Sequence, residues 1–488
     1  MKHSIYLHKL VIVLFLLGIT SGFSQEQTQD SLKHYINIAI ENNPAVKSQQ
    51  LAYEAFLQKI PQAGAFEDPE LSMGFYTKPM DIVGGRSVGD ITLMQMFPWF
   101  GTKKSAKTEA NHMAQMQYHE YIETKENTIL QVNTQWYVLQ KLQEQLLNAQ
   151  ENNKLLEQLE QLALKKFSSP TTSTSATSSS TEMKTNTVAT NTTTSSMGGM
   201  NMGGNTTTAT TSSTAAMSSS GGMSDMGGGS ASGMSDVLRI RLEIIETENT
   251  IERLLSEIKA EKVKFNALLN REATSDVTID KEIVKVDFLL DEELALQSLE
   301  TNNPMLAMIT EESMAYKAKA DMDRKMSYPM IGLGLQYMII GKTNDPMLAM
   351  GDMNGKDMVM PMLTVTLPVF RKKYNAQQEE SKLWWKSSQE KFTNTLNNLK
   401  AEYYSYKNQL EDAERTVKLY DKQTILAETT FNLIVKEFVA GKSDLNNVIQ
   451  VQRQLLDYQL KKAEAIANYN TMVASIKKTV AISDTKNR

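Results

Sequence analysis

Hydrophobic residues follow two different periods along this chain. In the first pattern, apolar side chains take every second position: Ile331, Leu333, Leu335 and Tyr337, and again Leu363, Val365 and Leu367. A period of two predicts strands with one apolar and one more polar face. We therefore predict two β-hairpins, at about residues 70–98 and about residues 330–368.

The second pattern is a heptad spacing that follows each hairpin. Its apolar positions include Ile122, Ile129, Trp136, Leu399, Tyr403, Tyr406 and Leu410. Heptads sustained over such stretches are typical of long helices that pack as coiled coils. We predict long helices at about 107–167 and 372–440, and shorter return helices at about 235–270 and 444–482. Residues 271–290 then form an equatorial connector.

The chain also repeats itself. The segment ENNPAV at residues 41–46 returns as TNNPML at residues 301–306, and Pro69 and Pro329 keep the same separation as the prolines of those two segments. An internal repeat of this kind organises a whole fold. It divides the chain into a first repeat, residues 25–270, and a second, residues 291–488.

Four strands in one chain leave two sheet edges unpaired. In lipid each unpaired backbone group costs several kcal/mol, so strands that span a membrane must close on themselves. Three copies would contribute twelve strands, which lies within the known range of spanning barrels. We predict a mixed α/β membrane protein in which a trimeric, 12-stranded transmembrane β-barrel continues into a long α-helical coiled-coil tunnel.

Composition narrows the class further. Residues 1–24 combine Lys2 and Lys9 with a following apolar run and small residues, which predicts a secretory signal peptide. The chain has no cysteine, which argues against disulfides and against lipid attachment at an N-terminal cysteine. A formal charge of −5 without a basic stripe makes nucleic acid an unsuitable partner.

These features together resemble the TolC-like outer-membrane efflux family, and within it the copper and silver efflux branch. The resemblance rests on the two NNP segments, on Pro98 and Pro368 after the hairpins, and on EFVAGKSDLNNVIQ from Glu437. It covers about residues 30–482. It implies a homotrimer in the outer membrane of a Gram-negative cell, with a periplasmic extension that meets a periplasmic adaptor (membrane fusion) protein and an inner-membrane RND-type pump.

The resemblance also directs attention to the periplasmic tip. Many family members carry carboxylates just past the tip glycine, where they constrict the entrance. The matching positions here are Asn447 and Gln450, and the nearest acids are Asp236 and Asp444. Because Asp is a preferred N-cap residue, gating and helix capping both remain open for these two acids.

An insertion occupies the tip of the first repeat. Residues 168–232 are rich in Ser, Thr and Gly, a composition that predicts disorder. Six closely spaced methionines in it are candidate ligands for soft ions: Met197, Met200, Met202, Met217, Met223 and Met226. The alternatives are a weak collector of Cu(I) or Ag(I) and a polar spacer that happens to contain methionine.

The loop of the second hairpin offers a second thioether group. It contains Met347, Met350, Met353, Met358 and Met360. A soft-ion exit surface and ordinary packing are both consistent with these residues. His112 and His119 lie seven positions apart with no third ligand nearby, so we interpret them as surface residues.

No catalytic set stands out, and we predict neither an enzyme nor a bound cofactor beyond transient cargo ions. The leading hypothesis is a passive export duct for Cu(I), Ag(I) or other heavy-metal ions. Two alternatives stay open: a TolC-like duct for drugs or secreted polypeptides, and a periplasmic Met-rich metal-binding coiled-coil scaffold without a pore.

Overall fold

The computed structural model describes residues 32–168, 232–279, 282–349 and 351–482. Its helices and strands, in chain order, are α1 (Leu32–Asn42), α2 (Pro44–Gly64), β1 (Glu70–Ile82), β2 (Gly85–Phe97), α3 (Thr102–Ser168), α4 (Ser232–Leu268), α5 (Glu292–Asn302), α6 (Pro304–Met326), β3 (Met330–Gly341), β4 (Met358–Thr366), α7 (Arg371–Val439) and α8 (Leu445–Thr479). The order of element types is the same in both halves of the chain. The predicted combination of a four-stranded sheet with long helices is confirmed.

The strands form one antiparallel sheet in the order β1-β2-β3-β4. Its register brings together residues that are far apart in sequence, since Leu93 of β2 pairs with Leu71 of β1 and with Leu335 of β3. Within the sheet, β1 and β4 each have one neighbour, so each leaves one row of backbone groups without a strand partner.

Each NNP segment joins three helix ends through one asparagine. Asn43 is the N-cap of α2: its Oδ1 accepts from the amide of Ala45 at 2.9 Å, and Pro44 takes the first helical position, where no amide is needed. The Nδ2 of Asn43 donates to the carbonyl of Leu268, the last residue of α4, at 2.9 Å. The last carbonyls of a helix have no amide partner within that helix, and this bond satisfies one of them at the end of α4.

Long helices form the rest of the larger compact unit, which holds residues 32–154 and 246–482. Helix α7 contacts α6 and α8. The cores between them are apolar, as in the cluster of Leu299, Leu306, Tyr403 and Ile476.

The segment between α4 and α5 is fixed by helix side chains at its described residues. Asn470 of α8 accepts from the amide of Val286 and donates to the carbonyl of Val284, each at 2.9 Å. Glu144 of α3 accepts from the amide of Ile283 at 2.8 Å. Residues 283–286 of the connector therefore obtain these backbone hydrogen bonds from side chains of α3 and α8 rather than from a strand partner.

Helix α3 begins at Thr102 rather than at about residue 107. Gly101 has a φ of 83°, a left-handed conformation that glycine adopts without strain, and the amide of Thr102 donates to the carbonyl of Trp99 at 3.1 Å. The helix therefore begins at this tight turn. The heptad pattern becomes recognisable only further along the chain, so it predicts a later start.

The smaller compact unit holds residues 155–168 and 232–245, the end of α3 and the start of α4. In it, Arg241 Nε lies 3.2 Å from Glu160 Oε1. Leu156, Leu159 and Ile240 are buried. Across the described parts of the chain, every helix falls short of the combined length and apolarity that a bilayer-crossing helix requires.

Candidate functional site

The sheet has two faces of different chemistry. Because directly paired residues point to the same side, Leu71, Leu93 and Leu335 share one face, and so do Leu333 and Leu363 on the next row. These leucines are exposed. Thr92, Gln336 and their paired neighbours lie on the opposite face. A sheet whose exposed face is apolar requires an apolar environment for that face.

The loop between β3 and β4 rests on the tip of the first hairpin. The amide of Gly84 donates to the carbonyl of Leu348 at 2.9 Å, and the amide of Gly355 donates to the carbonyl of Gly84 at 3.0 Å. Asp357 Oδ1 accepts from the amide of Ile340 at 3.0 Å. The carboxylate of Asp357 thereby braces the base of this loop.

The candidate methionines of this loop divide into three groups. Met347 and Met353 lie in the loop, 93% and 58% exposed. Met350 lies outside the described residues. The expectation that Met358 and Met360 belong to the loop is wrong, since both lie in β4 and pair with Met338 and Gln336 of β3. The first part of β4 is not recognisable as a strand in the sequence because methionine, which is itself apolar, occupies its more polar face and hides the alternation.

The tip candidates fall into different local settings. Asp444 is the N-cap of α8, and its Oδ1 accepts from the amide of Leu445 at 2.8 Å. The capping interpretation is therefore confirmed for Asp444. It is wrong for Asp236, which lies inside α4 because that helix already begins at Ser232. Asn447 and Gln450 are exposed on the first turns of α8.

The six candidate methionines of the insertion lie outside the described residues: Met197, Met200, Met202, Met217, Met223 and Met226. Residues 1–24 also lie outside them. Among residues 32–168, 232–279, 282–349 and 351–482, no three His, Cys, Asp or Glu side chains gather in a metal-binding arrangement.

The interpretation of the two histidines as surface residues is wrong. His112 and His119 of α3 are half-buried, and His112 Nδ1 lies 2.7 Å from Oε2 of Glu311 in α6. Burial lowers the pKa of His119, although the charge of Glu311 acts in the opposite direction. The heptad pattern misses this because it does not show which helix covers α3.

The sequence pattern also does not single out Met94, Met96 or Met338 of the sheet. The face that each occupies follows from pairing between β2 and β3, which is a contact between distant parts of the chain. Alternation separates the two faces within each strand, but only this pairing shows which residues of β2 and β3 share a face.

Comparison with known proteins shows which family and which folds the chain resembles. The family model for outer membrane efflux proteins matches residues 295–481, which run from α5 to the end of α8. No curated protein matches the chain by sequence.

Solved structures match nearly the whole chain. The outer membrane protein VceC of Vibrio cholerae is 11% identical with a TM-score of 0.63, and the match covers 92% of this chain and 95% of that one. CusC, whose structures describe transmembrane channel formation, is 13% identical with a TM-score of 0.65 and coverages of 93% and 92%. The outer membrane channel MtrE of Neisseria gonorrhoeae is 13% identical with a TM-score of 0.59 and coverages of 91% and 88%.

The fold is therefore that of outer membrane channel proteins. The second half of the chain is in addition similar in sequence to outer membrane efflux proteins, a family of transport channels rather than enzymes.

Proposed function

We propose that this chain is the outer-membrane duct of a tripartite efflux system and that its cargo is Cu(I), Ag(I) or another soft metal ion. The observation that carries the duct is the sheet: it has an exposed apolar face and two strands, β1 and β4, with one neighbour each. Closing those edges with two further copies of the chain would give a 12-stranded barrel and remove every unpaired edge.

The helices favour the same assembly. Leu419, Ile425, Leu426 and Leu433 of α7 are exposed although they are large and apolar. Sister chains that pack side by side would cover them, as coiled coils do. The assembly we propose is a homotrimer in the outer membrane of a Gram-negative cell whose helices form a periplasmic tunnel. By family resemblance its partners are a periplasmic adaptor and an inner-membrane pump, which supplies the energy.

The cargo proposal rests on methionine. The chain contains 29 methionines and no cysteine, so thioether sulfur is its only soft ligand. We propose that the six candidate methionines within residues 168–232, which exclude Met183, collect soft ions at the tunnel entrance, and that Met347 and Met353 act at the exit. Asp236, Asp444, Asn447 and Gln450 are the proposed lining of the entrance.

Removal of the insertion tests the cargo. In a host that lacks its own copy of such a duct, we compare the wild-type chain, a chain without residues 168–232, and a full-length chain in which the six methionines are replaced by serine. Both altered chains should lower copper and silver tolerance while leaving antibiotic tolerance and the amount of heat-modifiable trimer unchanged. Unchanged metal tolerance at equal trimer levels would contradict the collector, and absence of such trimers from the outer-membrane fraction would contradict the duct.

A further inference from the structure

The methionines of the sheet are distributed unequally between its two faces. Residues that pair directly across strands lie on one face, and so do alternate residues within a strand. Gln336 pairs with Thr92 and with Met360, which fixes the members of the more polar face. Away from the register shifts near the tip of the first hairpin, its methionines are Met94, Met96, Met330, Met338, Met358, Met360 and Met362. We call this set the thioether face.

The opposite face provides the comparison. It carries leucine, valine, phenylalanine and tyrosine side chains, but within the same ladder its methionine is Met73, which pairs with Ile91. Methionine used as a general apolar filler would be expected on this apolar face. Instead it is concentrated where its neighbours are Thr92, Gln336 and glycine. Packing alone therefore does not explain the distribution.

Glycines let these side chains lie across the sheet. A Cβ atom added to Gly332 would lie 2.5 Å from the Sδ of Met96, and one added to Gly334 would lie 3.3 Å from the Cε of Met362. The thioether arms therefore cover bare backbone on the neighbouring strand. Met358 and Met360, at the end of the face nearest the loop, remain 44% and 43% exposed.

Two carboxylates share this face. Glu70 of β1 pairs with Met94. Asp90 lies in the same row as Met338 and Met358. Its Oδ2 accepts from Gln336 Nε2 at 3.1 Å and from Thr92 Oγ1 at 3.4 Å, which fixes its position. The Lys or Arg in the paired stretches of the four strands is Arg86, which pairs with Gly341 on the opposite face. The face thus offers neutral sulfur ligands beside two carboxylates, a combination that suits a soft cation.

We propose that the thioether face binds Cu(I) or Ag(I) along the wall of the duct, so that ions pass between successive thioethers on the face that would line the barrel interior. The proposal deepens the proposed function and rests on it for the direction of transport, but binding by the face can be measured by itself. Thioether sites with exposed, mobile sulfur exchange their ions, as conduction requires binding that is weak enough to release.

The test uses the purified full-length chain in detergent and Ag(I), which needs no reductant. One variant replaces Met94, Met96, Met338, Met360 and Met362 by leucine, a substitution that nearly conserves volume. Its matched control is Met73→Leu on the opposite face. The methionines of residues 168–232 are present in every sample, so their contribution cancels. Bound silver per chain is measured by equilibrium dialysis.

We expect the five-residue variant to lose at least one bound Ag(I) per chain and Met73→Leu to lose none. Equal silver binding by all three proteins would overturn the site. If the five-residue variant does not fold, Met358→Leu and Met360→Leu, at exposed positions, replace it, and each should weaken the affinity for Ag(I) by about tenfold, while an unchanged affinity in both would overturn the proposal.

Silver tolerance in cells separates the two proposals. If silver binding depends on the thioether face but loss of the chain does not change tolerance, the face stands as a site and the cargo proposal fails. If tolerance depends on the chain but binding is unaffected in the five-residue variant, the duct stands and the thioether face fails.

Discussion

Replacement of Asn303 is expected to lower the free energy of unfolding by more than the loss of a helix N-cap alone. It is 2% exposed, and its side chain makes two hydrogen bonds. Its Oδ1 accepts from the amide of Met305 at 3.0 Å, which caps α6, and its Nδ2 donates to the carbonyl of Thr479 at 3.0 Å, at the end of α8. Asn303→Ala removes both bonds in one step.

The cost can be estimated from these two bonds. Loss of an asparagine N-cap costs about 1 kcal/mol. A buried carbonyl left without a donor costs a further ~1–3 kcal/mol. Together they predict destabilisation by about 2–4 kcal/mol, at the high end for a single substitution. Asn303→Ser keeps a good cap but cannot reach Thr479, so it should show the second cost alone.

Two measurements on the purified protein follow the effect. Urea unfolding gives the change in free energy, and hydrogen exchange at the end of α8 gives the local effect, where 2–4 kcal/mol corresponds to about 30- to 1,000-fold faster exchange. Asn302→Ala is the matched control because Asn302 is an exposed asparagine whose Nδ2 donates to Ser298 Oγ at 3.1 Å; its cost should stay within about 0.5 kcal/mol. Equal costs for Asn303→Ala and Asn302→Ala would refute this account of the NNP segment.

Two further predictions concern the first hairpin and the interface of α3 with α6. Gly85→Ala should sharply reduce the yield of folded protein, because Gly85 has a φ of 146° and a Cβ there would lie 2.3 Å from Ile340 Cγ2; Gly64→Ala is the control, and equal yields would contradict the steric argument. Because burial lowers the pKa of His119 against the opposing charge of Glu311, the unfolded chain takes up the proton first, and stability should fall as pH drops below about 6.5. His119→Gln should flatten this dependence in unfolding measurements between pH 5 and pH 8, and an unaltered slope would exclude His119 as its source.

Local sequence patterns were sufficient to predict whether most segments form a helix or a strand. Alternation identified the strand around Leu333, heptads identified α3 and α7, and NNP marked the starts of α2 and α6. These properties are local, because a strand or helix exposes its period within a few residues and a proline restricts the chain at its own position. The same patterns did not reveal that β4 begins at Met358, since alternation between methionine and valine carries little contrast in polarity.

The tertiary structure decided which distant residues meet. The sequence contains the two NNP segments, but only folding brings Asn303 to Thr479 and Asn43 to Leu268. The pairing of β2 with β3 likewise decides that Met94 and Met96 share a face with Met362, because a shift of one residue in that register would turn every side chain of a strand to the other side. Register and helix-end contacts depend on chain segments far apart in sequence, so no local period encodes them.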